Sequence, residues 1–386
     1  MALSAIESNN RLVVYRQEIT REFVRENLFS PYMGTSKTSI IRVLNDLKKR
    51  GQQINIPLVT RLNNEARGIG TLSGNEERID NYGMRMWVDL ARNAVKTDMM
   101  EEQKDSADVF GESKDLLADW GKELQRDEII EALMALPTES APAGLNSDNG
   151  QRVNGTLYED ATAAQRNTWN SDNSDRVLYG NSRSNYNATH ATALANIDTT
   201  NDLFVASSLS LMKTIAKKAS PRIRPFKLTD GREYFVAFAG SLPFRDLKTS
   251  LATVNKDARP REGGMMNGAP SNPIFQDGDQ IYDGVIVVEV PEIDTYVDEV
   301  WTTLETAGAG SAQCNPVFLC GQSAAAMAYG QMPRPTFLKE DDYQSVTGAG
   351  VDMIYGVGKC FKKHPMDSTP LKQWGVVTGF FANTVF

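Results

Sequence analysis

Residues 51–95 constrain this chain more than any other stretch. The run Gln53-Ile54-Asn55-Ile56-Pro57-Leu58-Val59 alternates apolar with polar side chains, the period of a strand with one covered face. Met84-Arg85-Met86-Trp87-Val88-Asp89-Leu90 repeats the pattern, with Met84, Met86, Val88 and Leu90 on one face and Arg85, Trp87 and Asp89 on the other. The connection between them is rich in Asn, Gly and Glu and ends in Leu72-Ser73-Gly74-Asn75-Glu76-Glu77. Two strands alone are marginal in water, and Pro57, which has no N–H to donate, belongs on an edge. The hairpin therefore needs a surface to lie on, and the surface expected is a second copy of the same chain. Candidate inter-subunit contacts on it are Ile54, Ile56, Leu58, Leu72, Glu76, Glu77, Met84, Met86 and Trp87.

With 386 residues the chain can bury a sizeable core in two or three domains. Hydrophobic residues at 41% and charged residues at 23% mark a globular protein. A net charge of −8 leaves no overall basic footprint for nucleic acid or an anionic membrane. No apolar run is long enough to span a bilayer, and Met1-Ala2-Leu3-Ser4-Ala5-Ile6-Glu7 has neither the basic nor the apolar region of a signal peptide. Cys314, Cys320 and Cys360 are too few for a disulfide framework and fit a reducing cytoplasm.

Before Gly51, Tyr15, Ile19, Phe23 and Val24 recur at helical spacing among many charges. Ile40, Ile41, Val43, Leu44 and Leu47 predict a second short helix capped by Thr35 or Ser36, with Lys48-Lys49-Arg50 and Gly51 as its C-terminus. Asp108 to Leu136 reads as the longest helix, ended by Pro137. Asp127 lies beside its apolar stripe, where a carboxylate is either paired, for example across an interface, or simply exposed at the margin. Pro137 to Thr200 reads as a long, mostly irregular excursion rich in Asn, Ser, Thr, Ala and Gly. A helix capped by Asn201-Asp202 follows, with Lys213, Lys217 and Lys218 near its end. The later strands expected are Glu233–Ala239, Gln280–Val290, Val317–Cys320, Met353–Lys359 and Gly375–Phe381, with a short helix at 244–247 and an alanine-rich helix running through Tyr329. Helices and strands do not alternate strictly, so the class is α+β with mixed or antiparallel sheets.

The usual catalytic motifs are missing. Gly68-Ile69-Gly70-Thr71-Leu72-Ser73-Gly74 has the wrong spacing for a dinucleotide loop and acidic residues after it, which suits a hairpin tip better. Gly321-Gln322-Ser323-Ala324-Ala325 lacks the second glycine of a nucleophile elbow. His190 and His364 are the only histidines, and Cys314 and Cys320 lack metal-ligand spacing. Glu76-Glu77, Asp127-Glu128 and Asp341-Asp342 are adjacent pairs whose members point apart, the pattern of solvated faces. No catalytic, cofactor-binding or metal residue is assigned.

The chain resembles a tailed-bacteriophage major capsid protein of the Hong-Kong-97-type fold, and more narrowly the N-four-type family. The residues that carry the likeness are Asn27-Leu28-Phe29 with Met33-Gly34, the hairpin segments quoted above, Arg92-Asn93-Ala94-Val95, Trp120 with Arg126-Asp127-Glu128, Ile354-Tyr355-Gly356-Val357-Gly358-Lys359 and Trp374-Gly375-Val376-Val377. The resemblance implies an N-terminal arm at 1–50 and an extended loop at 51–95 lying across a neighbour. It implies a peripheral domain at 96–220, with a spine helix near 108–136 and the irregular insertion near 137–200. A largely axial domain at 221–330 and closing strands at 331–386 complete it. The implied function is structural and non-enzymatic: hexamers and pentamers forming an icosahedral head, located in the virion and assembled in the host bacterial cytoplasm. Implied partners are the chain itself, portal and scaffolding proteins, and packaged double-stranded DNA met without sequence-specific binding; decoration proteins and covalent cross-links stay open. No cofactor and no membrane are implied. A bacterial nanocompartment shell is the same-fold alternative, and a soluble carboxylate-based enzyme the alternative of another class.

Overall fold

The computed structural model describes residues 27–48, 51–59, 62, 65–77, 81–104, 111–148, 150–227, 233–251, 280–338, 345–363 and 370–383. The expectations for Tyr15, Ile19, Phe23, Val24, Lys49-Arg50, the helix start at Asp108 to Phe110, Asp341-Asp342, His364 and the side chain of Leu58 lie outside the described residues. The chain divides into two units, one of Leu28–Leu90, Arg126–Met332 and Ile354–Phe386, the other of Ala91–Gln125 and Pro333–Met353 with the N-terminal residues.

The larger unit opens with β1 (Met33–Gly34) and β2 (Ile41–Leu44), paired in parallel. The helix expected over 40–47 is therefore a strand followed by a 3-10 turn at Asp46–Lys48. Ile41 and Val43 are β-branched and suit a pleated surface, and β2 finds its second neighbour far along the chain, in Ala325–Ala328. The hairpin strands are β3 (Gln53–Val59) and β4 (Asn81–Trp87), antiparallel with Ile54 opposite Met86 and Ile56 opposite Met84. The chain continues through β5 (Asp89–Asp98), which turns over at Val88 so that Asp89 is buried and Leu90, expected on the apolar face, is exposed. Then come α1 (Met99–Lys104) and α2 (Ser113–Met134), the expected long helix but ending before Leu136, which pairs with Thr156.

The excursion from Pro137 to Thr200 is more ordered than its composition suggests. It forms β6 (Val153–Asn154), α3 (Ala163–Asp172), β7 (Val177–Tyr179) and α4 (His190–Ala195). A capping box starts α3: Gln165 N–H donates to Thr162 Oγ1 at 3.3 Å, and Thr162 N–H to Gln165 Oε1 at 2.8 Å. Next comes α5 (Ala206–Lys218), four residues later than the expected cap, with Val205 N–H donating to Ser208 Oγ at 2.8 Å. Asp202 is used differently, accepting from Asn181 N–H at 2.8 Å and Asn185 Nδ2 at 3.0 Å.

Then follow β8 (Phe226–Lys227), β9 (Glu233–Ala239), α6 (Ser241–Ser250), β10 (Gln280–Tyr282) and β11 (Val285–Glu289). The single strand expected over 280–290 is a hairpin, because Asp283 (φ 48°) and Gly284 (φ 70°) take the left-handed conformations of a tight two-residue turn. The last elements are α7 (Glu292–Glu299), α8 (Thr302–Glu305), β12 (Cys314–Cys320), β13 (Ala325–Phe337), β14 (Val346–Lys359), β15 (Phe361–Lys363), β16 (Leu371–Gln373) and β17 (Val376–Ala382). The alanine-rich helix is corrected to β13. Ala324 to Ala328 are fully buried, and a Cβ on Gly330 would stand 3.0 Å from Ile354 Cγ2, so this strand needs small side chains more than helix propensity.

A seven-stranded sheet ordered β10-β11-β9-β12-β17-β7, with β8 on β9, forms the centre of the larger unit. Its pairings mix parallel (β9–β11, β7–β17) and antiparallel (β9–β12, β12–β17). Phe235, Ala237, Val317, Leu319, Val377 and Phe381 face a core shared with Leu209, Met212 and Ile215 of α5 and Phe244 and Leu247 of α6. Alternate residues face the other way, where Phe238 meets Phe29 at 4.8 Å and Phe380 stacks on Tyr179 at 5.5 Å between ring centroids. Both faces are covered, which is why these strands read as continuous apolar runs.

The smaller unit contains Ala91–Asp98 of β5, α1, the first half of α2, and the adjoining parts of β13 and β14. Within it Asp352 pairs with Arg92 at 2.8 Å and Arg334 at 3.6 Å.

Candidate assembly site

The hairpin is anchored at its base. The apolar face of β3 and β4 (Ile54, Ile56, Met84, Met86) clusters with Leu44, Leu47, Cys360, Phe361, Leu371 and Trp374. Ile56, Met84 and Met86 are buried within the single chain, so the cover expected from a second copy comes here from β15 and β16. The reason is topological: the closing strands return beside the hairpin base, and no sequence period reports that. Trp87 is half-buried and clamped by Asn154, whose Oδ1 accepts from Trp87 N–H at 2.8 Å while its Nδ2 donates to Trp87 C=O at 2.9 Å. Gly356 makes room for this clamp, since a Cβ there would stand 2.0 Å from the Trp87 carbonyl oxygen.

The other end of the hairpin is bare. Leu62, Ile69 and Leu72 are exposed, Leu72 by 68%. Glu76 is exposed and Glu77 half-buried. The tip closes on itself through Asn75 N–H to Leu72 C=O at 3.0 Å, Gly74 N–H to Glu76 Oε2 at 2.8 Å and a left-handed Gly74 (φ 81°). That is turn geometry, in agreement with the reading of this glycine run as a tip. Asp127 stands apart on α2, paired within the chain to Arg126 at 2.8 Å, and Arg126 reaches Glu292 at 3.4 Å. Farther along α2, Glu128 meets Arg152 at 2.6 Å. Glu131 accepts from Tyr296 Oη at 3.2 Å, and burial, with Glu159 adding repulsion, pushes its carboxyl up to about 7.

The roles of Asn154 and Gly356 at the hairpin base, and of Ile69 and Leu62 at its tip, were not read from the sequence. A lone isoleucine within Gly68-Ile69-Gly70 was a usable signal, because nothing local could bury it. Asn154 and Gly356 are more than 60 residues from Trp87, so nothing in the sequence linked either to it.

Among the described residues His190, Lys359 and the three cysteines are buried. His190 is buried between two tyrosines, Tyr158 Oη lying 2.9 Å from Nε2 and Tyr179 Oη 2.7 Å from Nδ1. Asn170 settles the proton positions. Its Nδ2 donates to Asn187 C=O at 2.7 Å, so its Oδ1 accepts from Tyr179 O–H at 2.9 Å. Tyr179 then accepts from His190 Nδ1–H, and Nε2 accepts from Tyr158 O–H. Burial, with the Arg166 cation adding to it, pushes the imidazole down to about 3, so it stays neutral. Lys359 is buried too, held by Gln373 Oε1 at 3.2 Å with the amide oriented to accept, and lying 5.8 Å from the Trp169 ring centroid. Burial pushes its amine down to about 7. All three cysteines are buried, and desolvation pushes each thiol up to about 12, far from the reactive thiolate. Among the described residues no helix is long and apolar enough to cross a membrane.

The comparisons give this α+β chain with its anchored hairpin a family. The chain matches the phage capsid protein family over residues 4–377, and it belongs to that family. It is similar to the capsid subunit of cyanophage Pam1, with 37% identity, 99% of both chains covered and a TM-score of 0.83. The capsid of Ralstonia phage GP4 shares the fold at 18% identity, covering 100% of this chain and 99% of that one with a TM-score of 0.68. So does the capsid of Helicobacter pylori bacteriophage KHP30, at 12% identity, 97% and 96% coverage and a TM-score of 0.66. No curated protein matches the chain. The expected fold is thus the observed one, that of phage major capsid structures, and the chain is a structural component of a phage head.

Proposed function

We infer that the chain is the major capsid protein of a tailed phage, that it self-assembles into hexamers and pentamers, and that these close into an icosahedral shell around double-stranded DNA. The observation that carries this is end-to-end similarity to the Pam1 capsid subunit at 37% identity, since so long a match leaves little of the chain for another role. The neighbours being phage capsids, a nanocompartment shell is disfavoured. The chain acts without catalysis, and the sealed His190 and thiols support that reading. Assembly takes place in the host bacterial cytoplasm, with portal and scaffolding proteins as further partners.

The hairpin works across subunits through its tip rather than its base. Leu62, Ile69, Leu72 and the acidic pair Glu76-Glu77 dock on a neighbouring copy, while Ile54, Ile56, Met84 and Met86 hold the base rigid within the subunit. Closed symmetric assembly makes each copy both donor and acceptor of that contact. Expressing the chain and examining it by electron microscopy and sedimentation tests the reading. Closed shells support it, and nuclease-protected DNA in shells made with the packaging machinery supports the viral role. A monomer that persists when the neighbouring genes are co-expressed overturns it.

A further inference from the structure

Between Leu203 and Thr229 the chain holds six cations and no carboxylate, although its net charge is −8. Two of the six are neutralised locally: Lys213 pairs with Asp283 at 2.7 Å and Lys227 with Glu233 at 3.2 Å. Lys217, Lys218, Arg222 and Arg224 are exposed, and among the described residues none of them is in an ion pair. Asp283 feels Lys217 as well, but Lys213 already holds it.

The strip is built rather than scattered. Ile215, Ala216, Ala219 and Ile223 between the cations are buried. Ile223 N–H donates to Ala216 C=O at 3.1 Å, folding the segment back along the end of α5. Gln322 then clamps the far side, its N–H donating to Arg224 C=O at 2.8 Å and its Nε2 to Pro225 C=O at 2.8 Å. Helix-end electrostatics accounts for Lys217 and Lys218. It does not account for Arg222 and Arg224, which lie beyond the helix and flank a buried Ile223. Two arginines held by fixed backbone two residues apart stand roughly 6–7 Å apart along the chain.

We propose that Lys217, Lys218, Arg222 and Arg224 form a docking strip for the phosphate backbone of duplex DNA. Guanidinium groups suit phosphate oxygens geometrically. Phe226, the one aromatic residue between Lys213 and Lys227, is half-buried, so the strip offers no open ring for stacking unpaired bases and favours a duplex. Contact of this kind is independent of base sequence and screened by salt. It goes beyond the capsid reading by assigning the strip to the face that meets packaged DNA, and it rests on that reading.

The test uses the unassembled full-length chain and a short labelled duplex, with binding followed by fluorescence anisotropy across a salt series. Each phosphate contact adds about 0.9 to the log–log slope. Replacing Lys217, Lys218, Arg222 and Arg224 with Gln should therefore flatten the slope by about 3–4 and weaken binding at low salt by at least 100-fold. A control with the same charge loss elsewhere, Lys37, Arg67, Arg85 and Lys96 to Gln, should bind nearly as wild type. Equal slopes for the wild type and the strip variant overturn the proposal, as does equal weakening by the control. Binding of poly-glutamate but not DNA also overturns it and assigns the strip to an acidic protein. Thermal melts confirm that both variants fold. Electron microscopy of the same preparations reads shell formation separately, so a failed capsid reading is distinguishable from a failed strip.

Discussion

His190 shows how a single residue can serve structure by being denied chemistry. Its ring is neutral in the folded chain down to about pH 3, whereas an exposed histidine protonates near 6.5. The folded state thus binds its proton later than the unfolded state as pH falls. The stability it contributes is complete above about pH 6.5 and is lost progressively between pH 6.5 and 3, by on the order of 5 kcal/mol. Urea melts at pH 7 and pH 4 should show this loss, and His190→Gln should flatten it while lowering stability at pH 7; an unchanged acid slope would refute the assignment. Lys359 acts in the same direction at higher pH. Its folded-state value near 7 lies below the ordinary 10.5, so the unfolded chain holds the extra proton between those values and stability rises with pH from 7 to 10.5. Lys359→Met should abolish that rise in thermal melts taken at pH 7 and pH 10. Asn154→Ala would strip the partners from both Trp87 backbone groups and should cost about 2 kcal/mol or more, read as a shift in denaturant midpoint.

At the scale of elements, the hairpin is one device with two ends. Its base belongs to the core: Gly356→Ala would force β14 away from Trp87 and should destabilise the subunit by about 1–3 kcal/mol. Its tip belongs to the outside, so Leu62, Ile69 and Leu72 to Ser should change subunit stability by no more than about 0.5 kcal/mol each. The same triple variant should fail to form closed shells in electron micrographs. Shells as abundant as wild type would remove the tip from the assembly contact.

For the whole molecule, sealing reactive groups inside the fold is the main chemical consequence. A thiol-reactive dye should label none of Cys314, Cys320 and Cys360 in native buffer and all three in denaturant. Rapid labelling of the native subunit would show that the core opens on the timescale of the reaction.

Elements written in local period and length were legible in the sequence. The alternation in 53–59 and 84–87, the apolar runs at Glu233–Ala239 and Val317–Cys320, the late strands and most of the long helix stand in the structure. The run over 84–90 breaks at Val88, after which Asp89 is buried and Leu90 exposed. The helix stops at Met134 because Leu136 pairs with Thr156 rather than because of Pro137. Asp283-Gly284 carried a hairpin turn that a single-strand reading overlooked. The exposed tip was legible in the same way, from a glycine-flanked isoleucine with nothing nearby to cover it. Tertiary structure alone decided the rest. Residues 41–44 became a strand because Ala325–Ala328, about 280 residues away, offered an open ladder, and the alanines followed because close packing outweighs their modest helix preference. The segment after Pro137 gained order by docking Trp169, Tyr179 and His190 around Phe380 on a sheet completed only by β17. The hairpin base found its cover within the same chain. A period along the chain reports that a face must be buried; the fold decides what buries it, because the covering residues are distant in sequence and only chain return brings them together.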